Sequence, residues 1–148
     1  MTRSPVVLAP GDGRIYSMGR ISAIFKADDT ETDSRYSISE WWLEPHTMGP
    51  GPHAHPEDDV FYVLEGTMSI LIDGHWREVE PGTMVFAPKM SVHSLKNVGD
   101  TPARVLFSAL PSGFDIFFSR CEKEFQKPGG PDMARITEIA IEHGIHFV

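Results

Sequence analysis

Pro52-His53-Ala54-His55-Pro56-Glu57-Asp58-Asp59-Val60-Phe61-Tyr62-Val63-Leu64-Glu65-Gly66 places two histidines and an acidic cluster ahead of an apolar run, and His93 follows on a later segment. In an extended strand alternate side chains share a face, so His53 and His55 point the same way, with Asp59 opening the inward row of the next strand. Two-residue separation is strand spacing; a helical site would need histidines four apart, as in HExxH, which this chain lacks. Neutral imidazoles with one carboxylate suit a single divalent Fe, Mn, Ni, Cu or Zn ion. Four protein ligands leave open positions for substrate, the mark of a catalytic rather than a structural site.

Strand signals recur at short intervals on both sides of this stretch, separated by turn residues, as a sandwich or small barrel requires. They cover Ile15–Lys26, Arg35–Leu43, Gly51–His55, Val60–Glu65, Met68–Ile72, Trp76–Val79, Thr83–Ala87, His93–Lys96 and Ala103–Leu110. Asp73-Gly74 is a two-residue hairpin signal, and Asp28 to Asp33 is expected to be a polar loop. Val60 to Leu64 is apolar on both faces, which predicts a second sheet or a second copy of the chain over the outer one and makes a homodimer the expected state. After Pro111 the period changes to helical: one helix runs from Phe114 to about Phe125, and a second, N-capped by Asp132, ends at Gly144.

A second stretch, Pro81-Gly82-Thr83-Met84-Val85-Phe86-Ala87-Pro88-Lys89-Met90-Ser91-Val92-His93-Ser94-Leu95-Lys96-Asn97, completes a two-part pattern. With G(x)5HxH(x)3-4E(x)6G and G(x)5PxG(x)2H(x)3N as the two halves, residues 48–97 resemble the cupin family. Three positions depart from it: Thr47 and Met90 stand where the pattern has Gly, and Asp59 stands where it has Glu. The run from Pro111 to Phe118 and the close at Ile141 to Ile145 resemble the endings of bacterial single-cupin proteins grouped with quercetin (flavonol) dioxygenases. The resemblance implies an all-β double-stranded β-helix, or jelly-roll barrel, with short C-terminal helices. The expected layout is one domain over 1–148, with N-terminal strands in 1–47, a metal-binding barrel core in 48–110 and a helical tail in 111–148.

The resemblance further implies that His53, His55 and His93 are metal ligands and that the fourth ligand maps onto Asp59. Asp is one methylene shorter than Glu, so Asp59 must draw its strand toward the ion, bind through water, or leave a three-histidine site. In flavonol dioxygenases the carboxylate ligand takes the hydroxyl proton of the substrate before oxygen attacks, and Asp59 would be that base. Quercetinase-like ring opening of a flavonol or similar enolizable aromatic molecule is therefore the expected activity. The alternatives are a non-redox metal-dependent isomerase, dehydratase or cyclase on a hydroxy-carbonyl compound, and a small-molecule-binding cupin without turnover. A barrel that has lost its metal is the bland counterpart of all three.

Phe61, Phe86 and Phe107, on strands expected to line the barrel, suggest a pocket for a flat apolar molecule, with Trp42 and Phe114 as further candidates. His46, His75, His143 and His146 read as packed or surface residues. At 148 residues with a net charge of −8 and no basic run, the chain has no nucleic-acid footprint and suits a small-molecule substrate. A single cysteine, Cys121, excludes an intrachain disulfide and points to a reduced, cytoplasmic setting; no stretch approaches a membrane span.

Overall fold

A computed structural model describes residues 3–148. Twelve strands and three helices are ordered β1 Arg14–Met18, β2 Ile21–Ala27, α1 Asp29–Thr32, β3 Ser37–Leu43, β4 Thr47–Met48, β5 His53–Ala54, β6 Asp58–Glu65, β7 Met68–Ile72, β8 His75–Val79, β9 Met84–Ala87, β10 Ser94–Asn97, β11 Ala103–Leu110, α2 Phe114–Phe125, α3 Met133–Glu142 and β12 His146–Phe147. Antiparallel pairing gives a six-stranded sheet in the order β1-β2-β3-β11-β6-β9, a four-stranded sheet β4-β10-β7-β8, and a two-stranded pair β12-β5. The fold is the expected jelly-roll barrel.

The expected strand over 15–26 is a hairpin, because Gly19, at φ 65°, opens a two-residue loop that brings Met18 opposite Ile21. Within 28–33, read as loop, α1 forms one helical turn. Asp28-x-x-Glu31 is a helix-start pattern, and the Glu31 carboxylate accepts the Asp28 amide at 3.0 Å. Asp73-Gly74 makes the expected tight hairpin between β7 and β8, both residues at positive φ.

The core lies between the sheets and beneath the helices. Phe25, Phe61, Val63, Val105, Phe107 and Phe118 are buried there, each large side chain contributing about 1.5–3 kcal/mol through removal from water. Trp41 is the hub of the aromatic packing, its ring centre 4.6 Å from that of Phe107 and 5.0 Å from that of Phe118.

Two of the three departures from the motif have visible backbone counterparts. Met90 adopts φ 64°, the left-handed region that favours the Gly it replaces. Thr47 is buried and bonds the Glu44 carbonyl, while Gly49 makes the close approach: a Cβ there would stand 1.9 Å from the Leu95 carbonyl oxygen. Asn97, which closes the motif, is a structural keystone. Its side-chain amide donates to the carbonyls of Leu43, Glu44 and Thr101, and its oxygen accepts the Gly99 amide.

Candidate metal centre

β5 and the segment before β10 are joined by one narrow antiparallel bridge. The His53 amide donates to the His93 carbonyl at 3.1 Å and the His93 amide to that of His53 at 2.9 Å. This places two imidazoles side by side, ring centres 4.6 Å apart. His55 follows two residues later on the same face, and Asp59 enters from β6 on the inward row that continues through Phe61 and Val63. All four side chains line one cavity of about 380 Å³.

His53, His55 and His93 each offer a donor atom, and the three atoms lie within 4.8 Å of one another. His53 Nδ1–H donates to the Gly51 carbonyl at 2.8 Å and His93 Nδ1–H to that of Ser91 at 3.0 Å, which leaves Nε2 of both as the coordinating atom. Asp59 falls outside that set of mutually close donors. Its Oδ2 instead touches Nε2 of His55 at 3.0 Å and of His93 at 3.1 Å. Its Oδ1 is buried without a hydrogen-bond partner, although buried polar atoms are almost always paired. An orphaned carboxylate oxygen beside three converging imidazoles is what a divalent cation site looks like before loading, so the donor set fits such an ion. The triad could bind a borderline divalent metal.

Electrostatics separate the histidines. Burial pushes His53 down to about 4 despite its bond to the Gly51 carbonyl, so it is a neutral ligand at pH 7. Burial also opposes charge on His55, but contacts with Asp59 and Glu57 outweigh it and raise the group to about 9. The metal-free protein therefore holds a proton on His55 that an ion must displace. Because that value lies above the ordinary one, the charged pairing stabilises the metal-free fold below about pH 6.5 and is lost as pH rises through about 9. Metal affinity runs the opposite way. It is expected to rise about tenfold per unit between pH 6.5 and 9 and then level off, as read by chelator competition across that range. A flat profile would remove His55 from the ligand set.

The structure divides the expected pocket residues. Phe61, Phe107 and Phe114 line the cavity with the histidines. Phe86 does not. Ala87 pairs with Asp59 and Val85 with Phe61, so Phe86, opposite Val60, lies on the outer row and is 50% exposed. Trp42 also points outward, under the guanidinium of Arg104 at 5.1 Å; its neighbour Trp41 is the inward residue. Alternation alone could not choose between adjacent tryptophans, and the pairing of Trp41 with buried Val105 does.

The helical tail forms the cavity's far wall: Phe117, Phe118, Cys121, Phe125, Ile136 and Phe147 all face the space. The signal for this was the phenylalanine run at helical spacing after Pro111. Cys121 is fully buried, and burial pushes its thiol up to about 11, so it is inert. His46 pairs with Asp100 at the surface, and His143 packs edge-to-face against Phe117 beside Arg120. Among the described residues no helix is long and apolar enough to cross a membrane.

Comparison with known proteins agrees with this architecture. The tetracenomycin polyketide synthase protein TcmJ of Streptomyces glaucescens is 32% identical over 85 residues, 54% of this chain and 57% of that protein. The chain spans about half the length of the curated relatives it matches. Among solved structures, the polyketide cyclase RemF from Streptomyces resistomycificus superposes with a TM-score of 0.65 at 22% identity, covering 74% of this chain and 81% of its own. A predicted oxalate decarboxylase from Thermotoga maritima gives 0.64 at 19% identity, covering 72% and 99%. At such identities the likeness shows the fold alone. Residues 39–109 match the family model described as Cupin domain, and the barrel built around His53, His55 and His93 has the cupin fold.

Proposed function

We propose that the chain is a metal-dependent enzyme acting on a flat, enolizable aromatic small molecule, with His53, His55 and His93 holding the ion and Asp59 moving the proton. The observation that carries this proposal is the buried, unpartnered Oδ1 of Asp59, a residue that lines the aromatic cavity together with the three imidazoles. A bound divalent ion would supply Lewis acidity, lowering the pKa of a substrate hydroxyl or of a C–H next to a carbonyl. Trp41, Phe61 and Phe107 would hold the ring system flat and exclude water. Asp59, with one oxygen against His55 and His93 and the other free, takes a proton from the substrate and returns it at a second position. That is the balance of an isomerase, dehydratase or cyclase. The names of two relatives, a polyketide cyclase and a polyketide synthase protein, support this class over others.

Oxygen-dependent ring opening of the quercetinase type is the second reading. It is favoured by the all-imidazole donor set, which suits redox metals, and it uses the same proton abstraction by Asp59. One experiment separates the two. Metal-loaded protein is incubated anaerobically with a phenolic β-diketone in D2O, and oxygen uptake is followed separately with a flavonol. Catalysed exchange of the α-proton without oxygen supports the non-redox class. Stoichiometric oxygen uptake with ring opening overturns it in favour of the dioxygenase. Metal binding with neither reaction leaves a binding module.

A second copy of the chain is the proposed cover for the outer face of β6 and β9. There the cross-strand neighbours Tyr62 and Met84 are 42% and 57% exposed, beside half-exposed Phe86. Sedimentation velocity should give a dimer that Phe86→Glu converts to monomer; a wild-type monomer at micromolar concentration would refute the pairing.

A further inference from the structure

The three imidazoles are not held alike. His53 and His93 each donate Nδ1–H to the carbonyl two residues upstream, Gly51 and Ser91. The equivalent acceptor for His55 is the carbonyl of His53, which already takes the His93 amide in the bridge between the two segments. His55 therefore needs a side chain to fix its ring. Glu57 Oε2 lies 3.0 Å from His55 Nδ1, an ion-pair contact without hydrogen-bond alignment, and neither buried atom has a hydrogen-bond partner, so each is the nearest group available to satisfy the other. Asp58 is not equivalent, because its Oδ1 is engaged by the Lys89 amide at 2.7 Å. The far side of Glu57 lines a second, smaller cavity of about 210 Å³ with Ser112, Gly113 and His143, separated from the first by Phe114 and Phe117, which line both.

We propose that Glu57 is the positioning residue of the centre: its carboxylate fixes the His55 ring through Nδ1 and so presents Nε2 toward the site shared with His53 and His93. This rests on the metal-ligand role proposed above for the three histidines. A carboxylate on the remote nitrogen of a ligating imidazole sets its tautomer and strengthens it as a donor, and losing such a partner costs about 10- to 100-fold in metal affinity. His53 and His93, held by backbone carbonyls, cannot lose their orienting groups by mutation. Glu57 is thus the point at which sequence change can tune the centre without touching a ligand.

Zn(II) affinity by competition with a chelating dye tests this on wild type, Glu57→Ala, Glu57→Asp and Asp58→Asn. Ala should weaken binding about 10- to 100-fold, and Asp, which keeps the charge but falls short by a methylene, by about tenfold. Asp58→Asn removes an adjacent charge while keeping the acceptor for Lys89, and should change affinity by less than about twofold. On the Zn(II)-loaded proteins, ring 15N shifts should show a single His55 species with protonated Nδ1 in wild type, and a broadened or mixed signal in Glu57→Asp. Should Glu57→Ala fail to fold, the Asp variant decides by both readouts. Wild-type affinity and unchanged His55 resonances in the Glu57 variants overturn the positioning role alone. Absence of Zn(II) binding by the wild type overturns it together with the proposed ligand set.

Discussion

His93→Ala is expected to lower divalent-metal affinity at least 100-fold, leaving protein purified without added metal essentially free of Fe, Mn, Ni, Cu and Zn by mass spectrometry. The magnitude follows from the donor set: three atoms within 4.8 Å is the least that holds a borderline divalent ion firmly, and removing one leaves two imidazoles and a carboxylate that contacts only one of them. The main-chain bridge between 53 and 93 survives the substitution, so loss of metal would report the ligand and not the fold. His53→Ala should behave the same way. Asp59→Ala provides the contrast, because Asp59 lies outside the mutually close set; near-wild-type metal in that variant identifies a three-histidine centre. Metal lost equally from Asp59→Ala and His53→Ala would restore the four-ligand site, and a metal-free wild type would remove the metal reading altogether.

Asp59→Asn is the second large effect: turnover of an enolizable aromatic substrate should fall by about 10²- to 10⁴-fold with metal content retained. Positioned general bases contribute rate factors of that size. Asn keeps the shape of Asp and a carbonyl oxygen to face His55 and His93, but it cannot accept a proton at the orphaned position. Kinetics at saturating substrate check this, with KM expected to change little because Trp41, Phe61 and Phe107 keep their places. Turnover within threefold of wild type would move the base elsewhere.

The barrel and the three histidines were legible because both rest on local rules. Alternation along β6 puts Asp59 and Phe61 on one face, Gly19 and Gly74 mark the tight β1–β2 and β7–β8 hairpins, and the two-residue spacing of His53 and His55 fits only extended chain. What escaped depends on register, which local sequence does not carry. Phe86 and Trp42 sit on the expected strands but in the outward rows, because their partners across the sheet fix which neighbour faces the core. Beyond Phe114, the contribution of α2 and α3 to the cavity wall was hidden for a related reason: an amphipathic helix reveals that it covers an apolar surface, not that a space remains beneath it. Glu57 looked like one acid among three, and only the occupied carbonyl of His53 distinguishes it.

β5 is two residues long and has a neighbour on each edge: the bridge to His93 on one, and β12, through Phe147 opposite His53 and His146 opposite Ala54, on the other. Those partners are about forty and ninety residues downstream, so the strand that bears the first histidine cannot be locked until the last part of this sequence has arrived. During synthesis His53 leaves the ribosome early, and its strand gains its second edge partner only once β12 has been made. Any ion held by the three histidines would therefore find its first donor framed on both edges only after β12 has docked.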